Sequence, residues 1–356
     1  MKSNFKKCLA ATASLMMLAA PAAMAQNGPQ PWDPNYEPPR LSDGTPDFSG
    51  VWDKASMTGI DRPPQFKDLV VPPETARAIA DANSARMEAA NAPTDPNEGA
   101  PEAGGNPGGY NAFYIDAGDG LGVVNGEYRS SWIVDPADGQ LPYSEEGRAE
   151  MEEAVALSWH NYDNPENRSA AERCTVGYGS TGAPPMLNVL YNNHIQFFQA
   201  PDSDIISILV EMNHNARMIR MNAEHRDEAL DPWLGDSIGY WDGDTLVVET
   251  TNFHPDVSQR SSQAQRFYLQ PDTHVEERFT RVADDTIFYE YTVTDPDLFT
   301  QPWKAEMPIR RAEGPIYEYA CHEGNHSLPG ILAGARREEA DAAAADAAGS
   351  ASSGSH

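Results

Sequence analysis

Beyond residue 25 the sequence has no long apolar run. No later stretch approaches the ~20 apolar residues of a membrane-spanning helix, which excludes a helical anchor within the body of the chain. Positive charge is scarce. Lys and Arg number 25 against 54 Asp and Glu, for a formal net charge of −29. A surface of that sign repels nucleic acid and anionic lipid, so neither is an expected partner. Cysteine is scarce as well, with 3 in the chain, which excludes a disulfide-dense scaffold. No nucleophile elbow, G-x-G-x-x-G dinucleotide site or Walker P-loop is expected, and hence no cofactor. No repeat of 20–50 residues is present, which excludes a solenoid.

What is present begins with a leader. Lys2, Lys6 and Lys7 precede the short apolar core CLAATASLMMLAAPAA, and Ala23-Met24-Ala25 has the small-x-small form of a cleavage site. This predicts a secretory signal peptide over 1–25, cut before Gln26, and a periplasmic or secreted chain. Cys8 lies too early for a lipoprotein cleavage site, so no lipid anchor is expected. Cys174 and Cys321 remain after cleavage. An oxidising compartment predicts a disulfide between them.

Residues 26–40 are Pro-rich and read as extended. Residues 41–336 read as a single β-rich domain with a helical and loop insertion over 60–170. Residues 337–356 form an acidic, Ala-rich tail that reads as disordered. Inside the insertion, 73–92 has a helical pattern. A second helix is expected over 144–162, with Ser144 as N-cap and acidic residues in its first turn. Residues 93–109 carry few large apolar side chains and read as a mobile loop. From Met186 onward about ten short apolar runs alternate with turn residues. Asp242-Gly243 reads as a type I′ hairpin turn. Consecutive antiparallel strands of this kind predict a mainly β fold: an antiparallel up-and-down β-barrel or strongly curved sheet, lipocalin-like, with a few peripheral helices.

Residues 322–326 spell HEGNH, an H-E-x-x-H pattern. On a helix it places two histidines on one face with the glutamate beside a zinc-bound water. Gly324 and Asn325 are poor in a helix interior, and Pro329 suits a helix start. Ile316–Cys321 alternates as a strand would. The pentad is therefore predicted to be a strand-to-helix junction, capped by Asn325 or Ser327, with no metal ligand set. At a barrel mouth His322 and Glu323, with His214, could instead do acid–base work. Arg217, alternating with Ile219, faces inward and would anchor an anionic group or pair with Glu211. His194, His225 and His254 stand at turns that one rim could gather. Asp236, Asp242 and Asp244 resemble a calcium loop in composition but fail its spacing.

Four stretches carry a wider likeness: TPDFSGVWD, EMNHNARMI, WLGDSIGYWDGDTLVVETTNF and GPIYEYACHEGNHSLPGILAGAR. Through them residues 41–336 resemble a large family of exported bacterial proteins. The resemblance implies no activity. It implies motif positions at Trp52, His214, Arg217, Asp236, Trp241, Glu323 and Asn325, and an aromatic where His326 stands here. Gly50-Val51-Trp52 also resembles the G-x-W signature of lipocalins, which implies a barrel holding one small, largely apolar ligand.

These readings predict an exported barrel with a small-molecule cavity. It would bind a small organic or sugar-like ligand or act on it by acid–base chemistry, as a lyase, hydratase or hydrolase. His214, His322 and Glu323 would be catalytic, and Arg217, Asn325, Trp241 and Asp236 would bind ligand. The alternatives are a zinc-dependent hydrolase using His322 and His326, and a non-catalytic envelope protein whose acidic face meets a partner.

Overall fold

The computed structural model describes residues 28–92, 99, 114–178, 181–227, 230, 232–262 and 265–353. The predicted leader and its cleavage site lie outside the described residues, as does the 93–109 stretch apart from Gly99. Strand β1 is Gly50–Asp53. The insertion after it holds β2 (Val70–Val71), α1 (Pro73–Ala90), β3 (Val123–Val124), β4 (Glu127–Arg129), β5 (Ile133–Asp135) and α2 (Glu145–His160). Strands β6 (His194–Phe198), β7 (Ile205–Val210) and β8 (Ala216–Met221) follow. Next come β9 (Asp236–Asp242), β10 (Thr245–Thr251) and the hairpin β11 (Gln259–Ser262) and β12 (Gln265–Tyr268). The strands end with β13 (His274–Ala283), β14 (Thr286–Thr294) and β15 (Trp303–Arg311), and α3 (Cys321–Gly324) and α4 (Ser327–Ser353) finish the chain.

Nine strands close a barrel in the order β1-β6-β7-β8-β9-β10-β13-β14-β15, with β15 pairing back to β1 through Trp52–Arg311 and Asp53–Arg310. β5 adds to the other half of β15. Period-2 patterning builds the wall. On β13 Val275, Glu277 and Phe279 are buried in alternation, and on β14 so are Tyr289, Tyr291 and Val293. Phe279 and Tyr289 are directly opposite in register and their rings stack at 4.7 Å.

One pairing departs from the expected up-and-down order. β8 and β9 are parallel, from Ile219–Ser237 to Met221–Gly239. A hairpin cannot join parallel neighbours, so β8 and β9 both begin at the same end of the barrel. The β9–β10 hairpin forms as expected, but its turn lies one residue on. Asp242 pairs with Thr245, so Gly243-Asp244 is the loop. Only Gly243 of that pair has positive φ, which suits a Gly-first II′ turn rather than I′.

The barrel interior is packed. Residues 181–189 are all buried and run through it. Met186 N–H donates to the Tyr289 hydroxyl, Asn188 accepts from Trp132 Nε1, and Thr181 O accepts from Lys54 Nζ. Side chains and this inserted segment thus occupy the space where a ligand cavity was expected.

Both expected helices form, and Ser144 Oγ caps α2 by accepting from Gly147 N–H at 2.9 Å. The tail starts as the helix that its Ala-rich sequence suggests, and α4 runs further than expected, to Ser353. Alanine has the highest helix propensity, and Arg336–Glu339 and Arg337–Asp341 ion pairs at helical spacing add to it. Cys174 and Cys321 are bonded. Thiol titration of denatured, unreduced protein cut before Gln26 should find no free thiol. Two free thiols would contradict the bond.

Candidate functional site at one barrel rim

The ends of β1 and β7 and the starts of β6, β8 and β9 meet at one rim. Glu211, buried just past β7, organises it. Its carboxylate accepts from His194 N–H at 3.3 Å and from Tyr317 N–H at 3.0 Å. The His194 ring lies 3.7 Å from the same carboxylate. His214 stands on the β7–β8 turn with φ of 52°, and its Nε2 accepts from Tyr319 N–H at 3.3 Å. Ile316–Cys321 was expected to form a strand, but Cys321 opens α3, and residues 315–320 lie over the rim outside the ladder, the amides of Tyr317 and Tyr319 donating to the Glu211 and His214 side chains.

Of the three expected catalytic groups, only His214 touches this strip. His322 and Glu323 are exposed on α3, and neither is hydrogen-bonded to His214 or to the other. α3 ends at Gly324, so His322 and His326 do not share a helix face. Asn325 caps α4, its Oδ1 accepting from Leu328 N–H at 3.3 Å, while its Nδ2 donates to Glu172 O at 2.8 Å. It acts as a cap and a tether. Among the described residues, no three of His, Cys, Asp and Glu are grouped to hold a metal ion. His326→Tyr should therefore leave thermal stability within about 0.5 kcal/mol, as at other surface sites. A larger loss in a melting experiment, or loss of bound zinc, would restore the zinc reading.

Arg217 does face inward, but its partner is not Glu211. The guanidinium is buried and donates to both carboxylate oxygens of Glu277, to Ser237 Oγ at 3.0 Å and to Thr250 Oγ1 at 2.9 Å. Tyr289 donates to Glu277 Oε1 at 2.7 Å. Arg217 thus anchors the chain's own carboxylate. Asp236, buried at the start of β9, is likewise engaged. It accepts from Arg220, His225 Nδ1 and Arg226 N–H, which together hold its carboxyl below the usual range against the opposing effect of burial. His225 is drawn to Asp236, and His254 stacks on Trp233 at 3.9 Å, so these two histidines belong to the β8–β9 side of the rim. Trp241 sits near the opposite end of the barrel against Phe48. Gly235-Asp236-Ser237-Ile238-Gly239 does carry the G-x-S-x-G spelling. Yet Ser237 is buried in a strand between Arg217 and Thr250, not exposed on a strand-to-helix turn.

Sequence reasoning missed Lys54. It follows β1, two residues after Trp52, and is buried with Nζ on Thr181 O at 3.0 Å. Burial pushes its pKa down to about 7 from 10.5, only partly opposed by Asp53, Glu211 and Glu277. Between pH 7 and 9 the unfolded chain then holds a proton that the folded chain has lost. Stability should accordingly rise with pH across that window. In Lys54→Met the rise should vanish and stability at pH 7 should be higher. Urea midpoints at pH 7 and pH 9 measure both, and an equal slope in the two proteins would remove Lys54 as the cause.

No protein-family model, curated protein or solved structure matches the chain. Its chemistry is therefore read from its own geometry.

Above the rim, between residues 168–172 and the β11–β12 hairpin, opens a cleft of about 240 Å³. Arg168, Arg260 and Arg266 line it, with Glu172 as the one acidic residue of its lining, and Tyr178 at one side. Arg168 is bound to Glu172 at 2.6 Å. Although burial works against it, the Glu172 carboxyl stays below the usual range because Arg168 and Ser169 donate to it. Arg260 is buried on β11. Its Nη1 donates to the carbonyls of Ala183 and Pro184, and its guanidinium lies 4.8 Å from the Phe253 ring centre. Burial, with the charge of Arg217 adding to it, lowers its pKa to about 9. The disulfide edges this region, since Cys174 follows Glu172 and Arg173 on the same segment.

Proposed function

We propose that this chain is an exported β-barrel protein that binds a small organic anion in the arginine-lined cleft at its rim. The observation that carries this is electrostatic. In a chain of net charge −29, the cleft is lined by three arginines and one glutamate. Arginine presents a planar fork that matches carboxylate and phosphate oxygens in pairs. Burial strengthens such contacts by removing competing water. The leader-like first 25 residues and the Cys174–Cys321 bond support export.

The test is calorimetry and thermal melting with acetate and inorganic phosphate as probes. At a hundred times its dissociation constant a ligand adds about 2.7 kcal/mol to stability. Arg266 is exposed, so Arg266→Ala should fold normally. Losing a charge-assisted hydrogen bond should weaken binding roughly tenfold or more. Anion binding that Arg266→Ala leaves unchanged, or no binding at all, would refute the cleft as the site.

A further inference from the structure

We infer that residues 313–320 are a strap across the barrel rim that acid releases through His214. Both ends of the strap are fixed. Ala312 N–H donates to Val51 O on β1, and Cys321 is bonded to Cys174. Between these ends the strap belongs to no strand ladder. Three alternate residues are held instead, each by a titratable side chain from a different element. His194, at the start of β6, meets Pro315 O through Nδ1 at 3.3 Å. Glu211, just past β7, accepts from Tyr317 N–H at 3.0 Å. His214, on the β7–β8 turn, accepts from Tyr319 N–H through Nε2 at 3.3 Å.

A proton acts on these three bonds differently. A carbonyl only accepts, so His194 Nδ1 is the donor, and it can donate whether the ring is neutral or charged. A carboxylate accepts while it is ionised. His214 Nε2 accepts only through its lone pair, and a charged imidazole has two donors and no acceptor. Once it is charged, Tyr319 N–H faces another N–H and keeps its ring against Tyr191. Imidazole is the side chain that changes charge between pH 5 and 8. His214 is exposed, so a proton reaches it without unfolding. Release takes up that proton, so it grows more favourable as pH falls, by at most about tenfold per pH unit. The other groups around the strap do not drive it off. Lys54, lowered by burial to about 7, gains its proton beside Glu211 and favours the ionised carboxylate. A charged His194, 3.7 Å from Glu211, does the same. Burial raises the Asp53 carboxyl, with the Ala55 N–H and His194 opposing it, and Asp53 stands behind His194 on β1. Burial pushes the Tyr319 hydroxyl up to about 12. Glu313 and Glu318 are exposed on the strap itself.

Hydrogen exchange of the Tyr317 and Tyr319 amides in the full chain measures the opening, read at pH 7.5 and pH 5 and divided by the intrinsic rate at each pH. Protection of the Tyr319 amide should fall roughly fivefold or more on acidification. His214→Gln puts an amide oxygen where Nε2 stood, an acceptor that no proton removes in this range. Its protection should match the parent at pH 7.5 and persist at pH 5. His214→Ala should be poorly protected at both. The side chain is exposed, so both variants should fold. Parent protection that does not change with pH would overturn the inference. So would a His214→Gln protein with the full pH dependence of the parent, because the proton would then act at Glu211, His194 or Lys54.

Discussion

Arg217→Met should destabilise the protein by roughly 3–5 kcal/mol, the cost of leaving one member of a buried ion pair alone. Arg217 and Glu277 are both buried inside the barrel, and the pair is held by two guanidinium–carboxylate contacts. Without Arg217 the Glu277 carboxylate keeps only the Tyr289 hydroxyl at 2.7 Å. Lys54, the other cation that feels Glu277, is hydrogen-bonded to Thr181 O instead. At this chain length the loss corresponds to a melting temperature lower by on the order of 10 °C. The size of that effect does not mean the pair is itself stabilising. Desolvating two charges offsets most of their attraction. Arg217→Met combined with Glu277→Leu should therefore recover most of the loss. A single variant within 1 kcal/mol of the parent in chemical denaturation would show that water or another group reaches Glu277. A double variant no better than the single would show that the site needs the charges for its shape.

This pair also shows what could be read from the sequence. Strand parity placed Arg217 inward, in phase with Ile219. The same parity puts Glu277 between Val275 and Phe279, yet a strand reading HVEERFTRV looks solvated because its neighbours are charged. Lys54 is hidden in the same way, two residues after Trp52. Parity was legible, but which inward polar groups would meet across the barrel depends on strand register and shear, which no local pattern encodes. The barrel itself was legible because it follows from short alternating strands. The parallel β8–β9 pair was not, because residues 222–235 read equally well as a wide turn. The packed interior was hidden for a related reason. Residues 181–189 look like loop and strand in the sequence, and only closure of the barrel around them makes them core. HEGNH was readable through Gly324, Asn325 and Pro329, all of which oppose one continuous helix. The cleft was missed. Its arginines, at 168, 260 and 266, are far apart in sequence, and no local spacing joins them.

Removing the disulfide with Cys174→Ser and Cys321→Ser should cost up to about 5 kcal/mol, because the bond closes a loop with a sequence separation of 147 and restricts the unfolded chain accordingly. Where that loss is felt follows from what else holds the two ends. Beyond Arg311 the chain is held by scattered contacts rather than a ladder, among them Ala312 N–H to Val51 O, Tyr317 N–H to Glu211, Tyr319 N–H to His214 with its ring stacked on Tyr191, Asn325 Nδ2 to Glu172 O, and Arg336 Nη1 to Asp163 O. Most of these side chains are exposed or half-buried. The barrel wall, by contrast, is a closed ladder from β1 to β15. Without the bond, residues 312–326 should lift from the rim at a lower cost than unfolding the wall. Trypsin should then cut after Arg310 or Arg311 well before it cuts inside β6–β14, whereas the bonded protein should resist at that position. Release of this strip would also free Asn325 from Glu172, on the wall of the arginine cleft. Anion affinity should fall together with the protease protection. If the double serine variant keeps both its unfolding midpoint and its resistance after Arg311, the strip is held by its own hydrogen bonds and the disulfide only records an oxidising compartment.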